Sequence, residues 1–572
     1  MENLKDIFGY EPSSYQLPIL NEVINGKGHL LINAKAGSGK TSTLKMICEV
    51  APKTSKILNL AFNKKIADEM SAKIQKPNVE CSTIHSRGFS TLKSKLSTYG
   101  KYTGNPSKGY AHKTKFIDRH AQDWNWVLPI ETYESLKEKS DTVRDLIDLI
   151  RLSLCGMQKE GENVIQKCYE RGLFASMTMA QLAKFMRERL GVEDKLLELC
   201  EKHDIVFGDN EHFKAFQIVL EMLKEFIGHF EGKTIGKTVD IDFVDMVFLP
   251  SVLDFYIFQE YDLVLVDECQ DLSACTLQLI KKYVSPTGRM IFVGDKGQAI
   301  YGFAGSDSAS FQNISEIENV KAFPLNECYR CGKDIINFVR MGNFDNEIIP
   351  FSGNGKGEVQ MNSSYKEIQS GDLVLCRMTF PLVKLCYQLI GEGKGANVLG
   401  KDIGASIINL YKKCKSQNIV DVIAFMQKEI ENTYRKLCKM YPDLTPQQIF
   451  SFPSYESMQE KVAIVELIIS NNGTVTSKDT LTARIESIFT DNIGGGITLS
   501  TVHKAKGAEA DRVFIIENEL MPHKRAKKDW QREQEKNLQY VAYTRAKHYL
   551  GFVTDWKSSK ENISSSDEED EE

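Results

Sequence analysis

The stretch His29-Leu30-Leu31-Ile32-Asn33-Ala34-Lys35-Ala36-Gly37-Ser38-Gly39-Lys40-Thr41 decides the fold. Its apolar start predicts a buried strand, and the segment from Ser42 to Val50 predicts a helix. Glycines between strand and helix let backbone N–H groups close around phosphates, where the helix dipole also favours anions. Although the general pattern has Gly at position 34, this context predicts a nucleotide site formed by Ala36, Gly37, Ser38, Gly39, Lys40, Thr41 and Ser42.

A second segment supplies acidic partners for this loop. The run from Leu263 to Val266 predicts a strand, and the carboxylates Asp267 and Glu268 follow it directly. Such a pair is also common at ordinary strand ends, but a phosphate loop upstream favours a catalytic role. We expect Thr41 and Asp267 to bind Mg²⁺, Lys40 to contact the β- and γ-phosphates, and Glu268 to polarise the attacking water.

Further apolar runs, each followed by a turn and a helical pattern, predict an α/β protein with parallel sheets. Two mainly helical stretches, about residues 90–235 and 403–490, interrupt them. The predicted strands are His29–Asn33, Lys56–Ala61, Leu263–Val266, Met290–Val293, Asp372–Cys376, Arg512–Ile516 and Leu550–Val553.

Composition limits the class of protein only loosely. The chain has 572 residues, 42% of them hydrophobic, which predicts a globular protein of several domains. No apolar run approaches the roughly 18–20 residues of a membrane span, and the start of the chain lacks the features of a signal peptide. We therefore expect an intracellular protein, in cytoplasm or nucleus according to the host, without a membrane partner.

Net charge and cysteines are less informative. The net charge is −5, but the last six residues are all acidic, so the remainder carries −5 + 6 = +1 and leaves room for a basic groove. Lys557 to Glu572 is rich in Ser, Asp and Glu, which predicts a disordered tail.

Of 13 cysteines, only Cys328 and Cys331 form a CxxC pair. Reduced thiols are the favoured interpretation, with a metal or redox role as the alternative.

Several segments between Gln16 and Lys547 resemble the motifs of superfamily 1 DNA helicases of the UvrD/Rep type. They occur along the chain in the same order as in that family. The segments are Tyr15-Gln16, Ala61-Phe62-Asn63-Lys64-Lys65, Thr83-Ile84-His85-Ser86, Asp267-Glu268-Cys269-Gln270-Asp271, Val293–Phe303, Asn326-Glu327-Cys328-Tyr329-Arg330, Thr501–Glu509 and Tyr540–Lys547.

The resemblance implies nucleotide contacts beyond the phosphate loop. It implies that Gln16 reads the adenine edge, that Tyr329 stacks on the base, and that Glu509 contacts the nucleotide. Gln298 is expected to sense the γ-phosphate, and Arg330 and Arg545 are expected to contact that phosphate as arginine fingers. ATP and Mg²⁺ are thus the implied cofactors.

The same resemblance implies a track for single-stranded DNA. Phe62, Tyr301 and Phe303 are the expected stacking partners of the bases, and stacking accepts any sequence because every base has a π-face. For a lone aromatic residue core packing is the usual role, and only the motif positions favour DNA contact here. His85, Thr501 and His503 are expected to supply polar or backbone contacts.

The family's fold implies two RecA-like parallel-sheet lobes, each with a mainly helical insertion. We expect the first lobe at 1–90 and 236–320, with its insertion at 91–235. The second lobe is expected at 321–402 and 491–556, with a short insertion at 403–490. The acidic tail occupies 557–572.

The implied activity is that of an ATP-dependent DNA helicase that moves 3′-to-5′ on single strands and unwinds duplex DNA in replication, repair or recombination. Its expected partners are single-stranded DNA, single-strand/duplex junctions and replication or repair proteins. Many relatives carry Arg where this chain has Ala304 and Gly where it has Lys35; the loss of that arginine removes one phosphate or DNA contact and is expected to affect unwinding rather than ATPase activity. The alternatives are a translocase without productive unwinding, the motor subunit of a nuclease complex, and a DNA-binding scaffold switched by ATP.

Overall fold

In a computed structural model of the protein, the chain divides into two compact units. The first unit comprises Met1–Ala34 and Gly39–Leu325, and the second comprises Lys35–Ser38 and Asn326–Glu572. The structure describes residues 7–99, 113, 117, 144–155, 157–159, 162–203, 211–230, 241–253, 259–302, 309–440, 444–450, 452–471, 473–491, 496–524 and 526–558.

The first unit is built on a parallel sheet of six strands in the order β3-β2-β4-β5-β1-β6. These strands are β1 (His29–Ala34), β2 (Ile57–Ala61), β3 (Val79–Thr83), β4 (Tyr261–Val266), β5 (Val284–Gly294) and β6 (Val320–Leu325).

Along the central strands, successive apolar side chains pack alternately into two different clusters, so both faces of this sheet are buried. In β1, Leu30 and Ile32 pack into one apolar cluster and Leu31 into another. In β4, Leu263 and Leu265 likewise join the first cluster, whereas Val264 and Val266 join the second. Because successive side chains of a strand point to opposite faces, a continuous apolar run needs cover on both sides.

Helices supply that cover. They are Gln16–Asn25, Lys40–Val50, Lys64–Lys73, Ile84–Tyr99, Val164–Glu170, Leu173–Ser176, Met179–Leu190, Val192–Lys202, Glu211–Phe230, Asp245–Val252, Ala274–Lys282 and Ser310–Ser315, with a short antiparallel pair Gln158–Lys159 and Glu162–Asn163.

One helix contact depends on glycine. A Cβ atom on Gly88 would lie 2.1 Å from the carbonyl oxygen of Met246. Gly88 belongs to the helix Ile84–Tyr99, and Met246 belongs to Asp245–Val252. A larger residue at position 88 would force these two helices apart. Gly88 therefore permits their close approach.

The second unit contains a parallel sheet of seven strands in the order β7-β13-β12-β8-β11-β9-β10. These strands are β7 (Glu358–Ser363), β8 (Leu373–Cys376), β9 (Ala396–Leu399), β10 (Phe489–Thr490), β11 (Ile497–Thr501), β12 (Ala510–Ile516) and β13 (Ala546–Val553). A short parallel pair joins Glu327–Cys328 to Ile349–Pro350. The helices are Lys333–Met341, Thr379–Gly391, Lys401–Tyr411, Ile419–Met440, Pro446–Phe450, Pro453–Ser470, Lys478–Ile488 and Asp529–Tyr543.

These two sheets confirm the predicted α/β class with parallel sheets, and each matches what a RecA-like lobe requires. All seven strands predicted from apolar runs are present, and the stretch 403–490 is mainly helical. Strand β6 pairs with β1, so the chain leaves the first sheet at Leu325, five residues after the boundary expected from sequence. Most of the predicted disordered tail lies outside the described residues. Among those residues, no helix is long and apolar enough to cross a membrane.

Candidate nucleotide and DNA sites

The carboxyl edge of the first sheet gathers the predicted first-unit residues. In a parallel sheet all carboxyl ends lie at one edge, where ligands of open α/β sheets bind. Following the strand order, this edge carries His85 after β3, Phe62 after β2, Asp267 and Glu268 after β4, Asp295 after β5, and the phosphate loop after β1.

The phosphate loop has a conformation that only glycine adopts easily. Gly37 has a φ of 67° and Gly39 a φ of 86°, both in the left-handed region. The Ser38 hydroxyl is buried and has no hydrogen-bond partner in the structure. A buried hydroxyl without a partner is costly, and a phosphate oxygen would satisfy it. The loop therefore fits the phosphates that its sequence predicts.

Lys40 and Glu268 are brought together at this edge, although 228 positions separate them. The Lys40 ammonium lies 3.0 Å from Glu268 Oε1, and both side chains are largely buried. Burial alone would lower the pKa of Lys40, but Glu268, Asp267 and Asp295 together raise it above its usual value. Lys40 is therefore a fixed positive charge, as a phosphate contact requires.

Glu268 adopts a backbone conformation that is rare for a residue with a side chain. Its φ is 53°, in the left-handed region. Such conformations cost about 1–3 kcal/mol and cluster at functional sites. Since Glu268 stands directly after a buried strand, this turn aims the carboxylate toward Lys40 rather than along the sheet.

Gln270 extends the Lys40–Glu268 pair to the next loop. Its Nε2 donates to Glu268 Oε2 at 2.5 Å, and its Oε1 accepts the backbone N–H of Asp295 at 3.0 Å. Asp295 Oδ2 in turn accepts from Gln298 Nε2 at 2.8 Å. Gln270 lies in the segment Asp267-Glu268-Cys269-Gln270-Asp271, but the sequence alone predicted no role for it.

We expect Gln270→Ala to lower the rate of ATP turnover more than nucleotide affinity, because the substitution frees Glu268 without removing a phosphate contact. The loss should be about 10- to 100-fold, in the range for groups that position an acid–base catalyst. Steady-state ATPase assays over a range of ATP concentrations measure it. The exposed Gln312, which bonds only Glu316 nearby, provides the control variant Gln312→Ala. A raised KM with unchanged kcat would contradict the positioning role.

The residues predicted to hold Mg²⁺ suit that ion chemically. Asp267 is buried at the end of β4, and one of its oxygens accepts the backbone N–H of Glu268 at 2.9 Å. Carboxylate and hydroxyl oxygens are the ligand types that Mg²⁺ prefers, and the ion usually keeps waters and substrate phosphates as its other ligands. Thr41 and Asp267 would hold it in that manner. Among the described residues, no cluster of three or more His, Cys, Asp or Glu is arranged to hold a metal.

Gln16 is buried beside the phosphate loop. Its Oε1 accepts the backbone N–H of Ser13 at 3.0 Å, and its Nε2 donates to Thr43 Oγ1 at 3.1 Å. A Cβ on Gly39 would lie 3.8 Å from Nε2 of Gln16. Both ends of the amide are thus engaged, so contact with an adenine edge would exchange one of these bonds. That contact stays a prediction.

Two predicted DNA contacts form an aromatic pair. The rings of Phe62 and Tyr301 are stacked with centroids 5.6 Å apart and planes within 10°. Phe62 is 40% exposed, so part of its ring is accessible to a base. Phe303 and the neighbouring Ala304 lie outside the described residues.

Sequence reasoning missed a second exposed aromatic residue, Phe243. Its ring stacks on the predicted DNA contact His85 with centroids 4.5 Å apart, and it is 58% exposed. The signal was present in the sequence, since Phe243 stands between two aspartates in Asp242-Phe243-Val244-Asp245. An apolar residue that is flanked by acids before a helix is a poor candidate for the core.

Buried charges hold Phe243 in place. Arg151 donates to Asp242 Oδ2 at 2.7 Å and to Asp245 Oδ1 at 2.5 Å, and it also bonds Asp148. Lys113 lies 3.2 Å from Asp242 Oδ2. Asp242 and Asp245 accept each other's backbone N–H at 3.0 and 2.8 Å. The turn that carries Phe243 is thereby fixed from both sides.

We expect the protein to lose stability as pH falls from 6.5 to about 4, in part because of His85. Burial lowers the pKa of His85 to about 4, so between these values the unfolded chain binds the proton and the folded chain does not. The contribution is complete above pH 6.5 and falls as the pH approaches 4. Urea unfolding of His85→Gln at several pH values should show a shallower pH dependence, whereas His548→Gln, which changes an exposed histidine, should match the wild type. Equal slopes in wild type and His85→Gln would contradict this assignment.

In the second unit, Arg330, Glu509 and Lys547 form an ion cluster. Glu509 lies 2.7 Å from Arg330 Nε and 3.0 Å from Lys547 Nζ. Burial favours the neutral acid, but the two cations hold the pKa of Glu509 below its usual value. The Arg330 side chain is 20% exposed and its Nε is buried, so only part of this side chain is accessible. Tyr329 is 38% exposed and packs on Phe351, with centroids 4.7 Å apart.

Arg545 has a different environment. It is buried, and its guanidinium donates to the carbonyl oxygens of Val541 at 2.9 Å and Ala508 at 3.2 Å. The two predicted arginine fingers therefore differ in accessibility: Arg330 is partly exposed, whereas Arg545 is buried and ties the helix Asp529–Tyr543 to the start of β12.

The two groups predicted in the second unit lie at opposite edges of its sheet. Glu509 and Arg545 immediately precede β12 and β13, at the amino edge. Thr501 ends β11 and His503 follows it, at the carboxyl edge. His503 is partly buried, and desolvation together with Arg377 lowers its pKa to about 4. It is neutral near pH 7 and would contact DNA as a hydrogen-bonding group rather than as a charge.

Lys35, the departure noted in the phosphate loop, has its own partners within the second unit. Its ammonium lies 2.8 Å from Asp345 Oδ2 and 2.8 Å from Glu347 Oε2, and Lys35 and Asp345 are both buried. A buried charge needs such pairing to be tolerated. The lysine is thus accommodated by two carboxylates.

Comparison with known proteins gives a consistent result. Residues 19–319 match the UvrD/REP helicase N-terminal domain, and residues 496–553 match the UvrD-like helicase C-terminal domain. The chain is 24% identical to F-box DNA helicase protein 1 of Schizosaccharomyces pombe, covering 94% of this chain and 57% of the relative. It is 24% identical to F-box DNA helicase 1 of Gallus gallus, covering 94% and 48%. It is 22% identical to the ATP-dependent DNA helicase PcrA of Staphylococcus epidermidis, covering 92% and 81%. The chain thus spans about half the length of the F-box relatives.

Proposed function

Because the chain belongs to the UvrD/REP helicase family, we propose that it is an ATP-dependent DNA helicase that moves along single-stranded DNA and unwinds duplex DNA. The single observation that carries the proposal is the hydrogen-bonded series from Lys40 through Glu268 and Gln270 to Asp295 and Gln298. Only three positions separate Gln298 from Tyr301, which stacks on Phe62. A change at the γ-phosphate can therefore reach a DNA-stacking residue over a short, packed path.

The residues divide the chemical work. Lys40 binds the β- and γ-phosphates, and loop N–H groups neutralise charge around them. Glu268 accepts hydrogen bonds from a water and orients it for in-line attack, while Gln270 fixes the carboxylate. Mg²⁺, held by Thr41 and Asp267, supplies charge neutralisation on the phosphates when bound. Arg330 and Arg545 would stabilise the charge that develops on the transferred group.

Binding of DNA is proposed for the aromatic residues at the carboxyl edge of the first sheet. Phe62, Tyr301 and Phe243 offer ring faces, and the neutral His85 supports Phe243. Thr501 and His503 add contacts from the carboxyl edge of the second sheet. Stacking without base-specific hydrogen bonds implies binding to any sequence, as a translocating motor needs.

We expect Phe243→Ala and Phe62→Ala each to weaken single-strand binding by about 1–3 kcal/mol, which is roughly 5- to 150-fold in Kd. The basal ATPase rate without DNA should stay close to that of the wild type, because neither ring touches Lys40 or Glu268. Fluorescence anisotropy with a labelled oligothymidine measures the affinity. Phe450→Ala changes a similarly exposed aromatic residue elsewhere and provides the control. Unchanged affinity in Phe243→Ala would remove this residue from the track.

The proposed function is tested by ATP hydrolysis with and without single-stranded DNA, using Glu268→Gln as the inactive control. Stimulation by DNA that disappears in Glu268→Gln supports the motor. An equal rate of ATP hydrolysis with and without single-stranded DNA would overturn the helicase assignment but not the nucleotide site. A nucleotide-binding scaffold predicts binding without turnover.

Movement 3′-to-5′ and a role in replication, repair or recombination follow from the family resemblance alone. Strand-displacement assays on duplexes with a 3′ or a 5′ single-stranded tail test the direction. Stimulated ATPase without displacement from either substrate would favour the translocase that does not unwind DNA.

A further inference from the structure

The pair Cys328 and Cys331 encloses Tyr329 and Arg330, and the proposed function uses Arg330. Both thiols are completely buried. All 13 cysteines are free in the structure, and this is the one pair with CxxC spacing. The pair stands immediately before the helix Lys333–Met341, with Gly332 as its N-cap.

Hydrogen bonds hold the two cysteines in a tight turn. Asn354 Nδ2 donates to the carbonyl oxygens of both Cys328 and Cys331, at 2.8 and 2.7 Å. The backbone N–H of Cys331 donates to Cys328 Sγ at 3.5 Å. The side-chain amide of Asn354 thus holds both ends of the turn, and the Cys328 sulfur accepts a hydrogen bond from the backbone of Cys331. The Cys328 sulfur lies within 3.5 Å of the backbone nitrogen of Cys331, which places the two cysteines close together in one turn.

The electrostatic surroundings distinguish the two thiols. A hydrogen bond from Cys331 lowers the pKa of Cys328 to about 7, and the nearby Arg330 contributes. The same interaction together with burial raises the pKa of Cys331 well above its usual value. Cys328 is thus the more nucleophilic thiol and Cys331 the resolving thiol, since the thiolate is the reacting species.

We propose that Cys328 and Cys331 are an oxidation site whose disulfide inhibits the motor by displacing Arg330. The inference rests on the proposed role of Arg330 in hydrolysis. The Cys328 thiolate attacks one oxygen of hydrogen peroxide and the O–O bond breaks, which gives a sulfenic acid and a hydroxide that takes up the proton lost by the Cys328 thiol and leaves as water. The Cys331 thiol then attacks the Cys328 sulfur, the S–O bond breaks, and a second water leaves. The sum is two thiols and one hydrogen peroxide to one disulfide and two waters.

Arg330 connects oxidation of the two cysteines with ATP hydrolysis, because it lies between them in the chain and is a predicted contact of the γ-phosphate. Its Nη1 donates to the carbonyl oxygen of Thr544 at 3.3 Å, and Cys331 Sγ lies 3.6 Å from the same oxygen. Drawing Cys331 onto Cys328 removes a sulfur from this shared position and twists the turn between the two cysteines. Arg330 then loses the orientation that Glu509 and Thr544 give it. Since an arginine finger contributes about 10³–10⁵ in rate, even partial misplacement should slow turnover about tenfold or more.

Burial sets which oxidants react. Hydrogen peroxide is small enough to enter as the turn opens, whereas a bulky aromatic disulfide is not. We therefore expect selective oxidation by peroxide and slow reaction with bulky thiol reagents. Reduction by dithiothreitol should restore the rate, because disulfides exchange with added thiols.

The test treats the full chain with hydrogen peroxide, then measures ATPase with and without single-stranded DNA and maps disulfides by mass spectrometry of proteolytic fragments. We expect a Cys328–Cys331 disulfide in the wild type, loss of the DNA-stimulated rate, and recovery with dithiothreitol. Cys331→Ser should retain its rate under peroxide, while Cys386→Ser, which changes another buried cysteine of the second unit, should lose it.

Three results would overturn the inference: no disulfide at this pair, a disulfide without loss of rate, or equal loss in Cys331→Ser. The wild-type mapping and its reversal need no variant, so a misfolded variant leaves the test intact. Reduced protein that shows no stimulation by DNA would count against the proposed function instead, and disulfide mapping would still decide whether the pair oxidises.

Discussion

Replacement of Lys40 by alanine is expected to lower ATP turnover by about 100- to 1000-fold, as removal of a preorganised charge donor from a reaction centre does. Lys40 is a largely buried cation whose raised pKa keeps it charged, and its ammonium lies 3.0 Å from Glu268. Without it, the γ-phosphate loses its positive partner and Glu268 loses the contact that holds it. Steady-state phosphate release in the presence of single-stranded DNA measures the effect.

Single-strand binding by Lys40→Ala should stay within about threefold of the wild type, because the stacking rings contribute the main binding energy. Lys45→Ala changes an exposed lysine of the same helix and should match the wild type in both assays. Retained turnover in Lys40→Ala would contradict the phosphate assignment. Loss of DNA binding together with turnover would instead show that the variant is misfolded or that Lys40 touches DNA.

The parts of the fold that sequence predicted share one property, burial on both faces. Strands such as β1 and β4 are continuous apolar runs because each face meets a helical layer, and such runs are visible in sequence. The missed strands of the second sheet, β7, β9, β10 and β11, include the fully buried β11. The missed strands of the first sheet, β3 and β6, lie at its two edges. Their residues are only partly buried, and β6 contains Pro324, so neither an apolar run nor an alternating pattern marks them.

The candidate site was predictable where a motif concentrates chemistry in a few adjacent residues. Lys40 and Glu268 could be assigned roles from their segments alone. The roles of Gln270 and Phe243 depend on contacts that no local pattern encodes: Gln270 reaches Asp295, 25 positions away, and Arg151 reaches Asp242, 91 positions away. Such contacts follow from the packing of distant elements, so they require a three-dimensional structure.

The environments of Arg330 and Arg545 also separate two roles that sequence left equal. Arg330 is held by Glu509 through an ion pair and is partly exposed. Arg545 satisfies two backbone carbonyls inside the second unit. A side chain that supports the fold and a side chain that meets the nucleotide should respond differently to removal.

Arg330→Ala is expected to lower DNA-stimulated hydrolysis by about 10³- to 10⁵-fold, the range for loss of an arginine finger, with nucleotide affinity nearly unchanged. Its melting temperature should fall less than that of Arg545→Ala, because Glu509 is 40% exposed and keeps its ion pair with Lys547. Single-turnover ATPase and binding of a fluorescent nucleotide measure the two quantities. Arg340→Ala, at an exposed position of the helix that follows, should match the wild type in both.

Arg545→Ala should combine a loss of hydrolysis with a loss of stability. Removal of its guanidinium takes a hydrogen-bond donor from the carbonyls of Val541 and Ala508 and leaves a cavity where a buried side chain packed, which should cost on the order of 1–3 kcal/mol in all. Thermal unfolding of the two variants side by side therefore separates the roles. If Arg545→Ala lowers hydrolysis at an unchanged melting temperature, its buried contacts are not structural and it acts as a finger like Arg330. If Arg330→Ala unfolds as readily as Arg545→Ala, the Arg330–Glu509 pair supports the fold, and the rate loss in Arg330→Ala carries no information about the γ-phosphate.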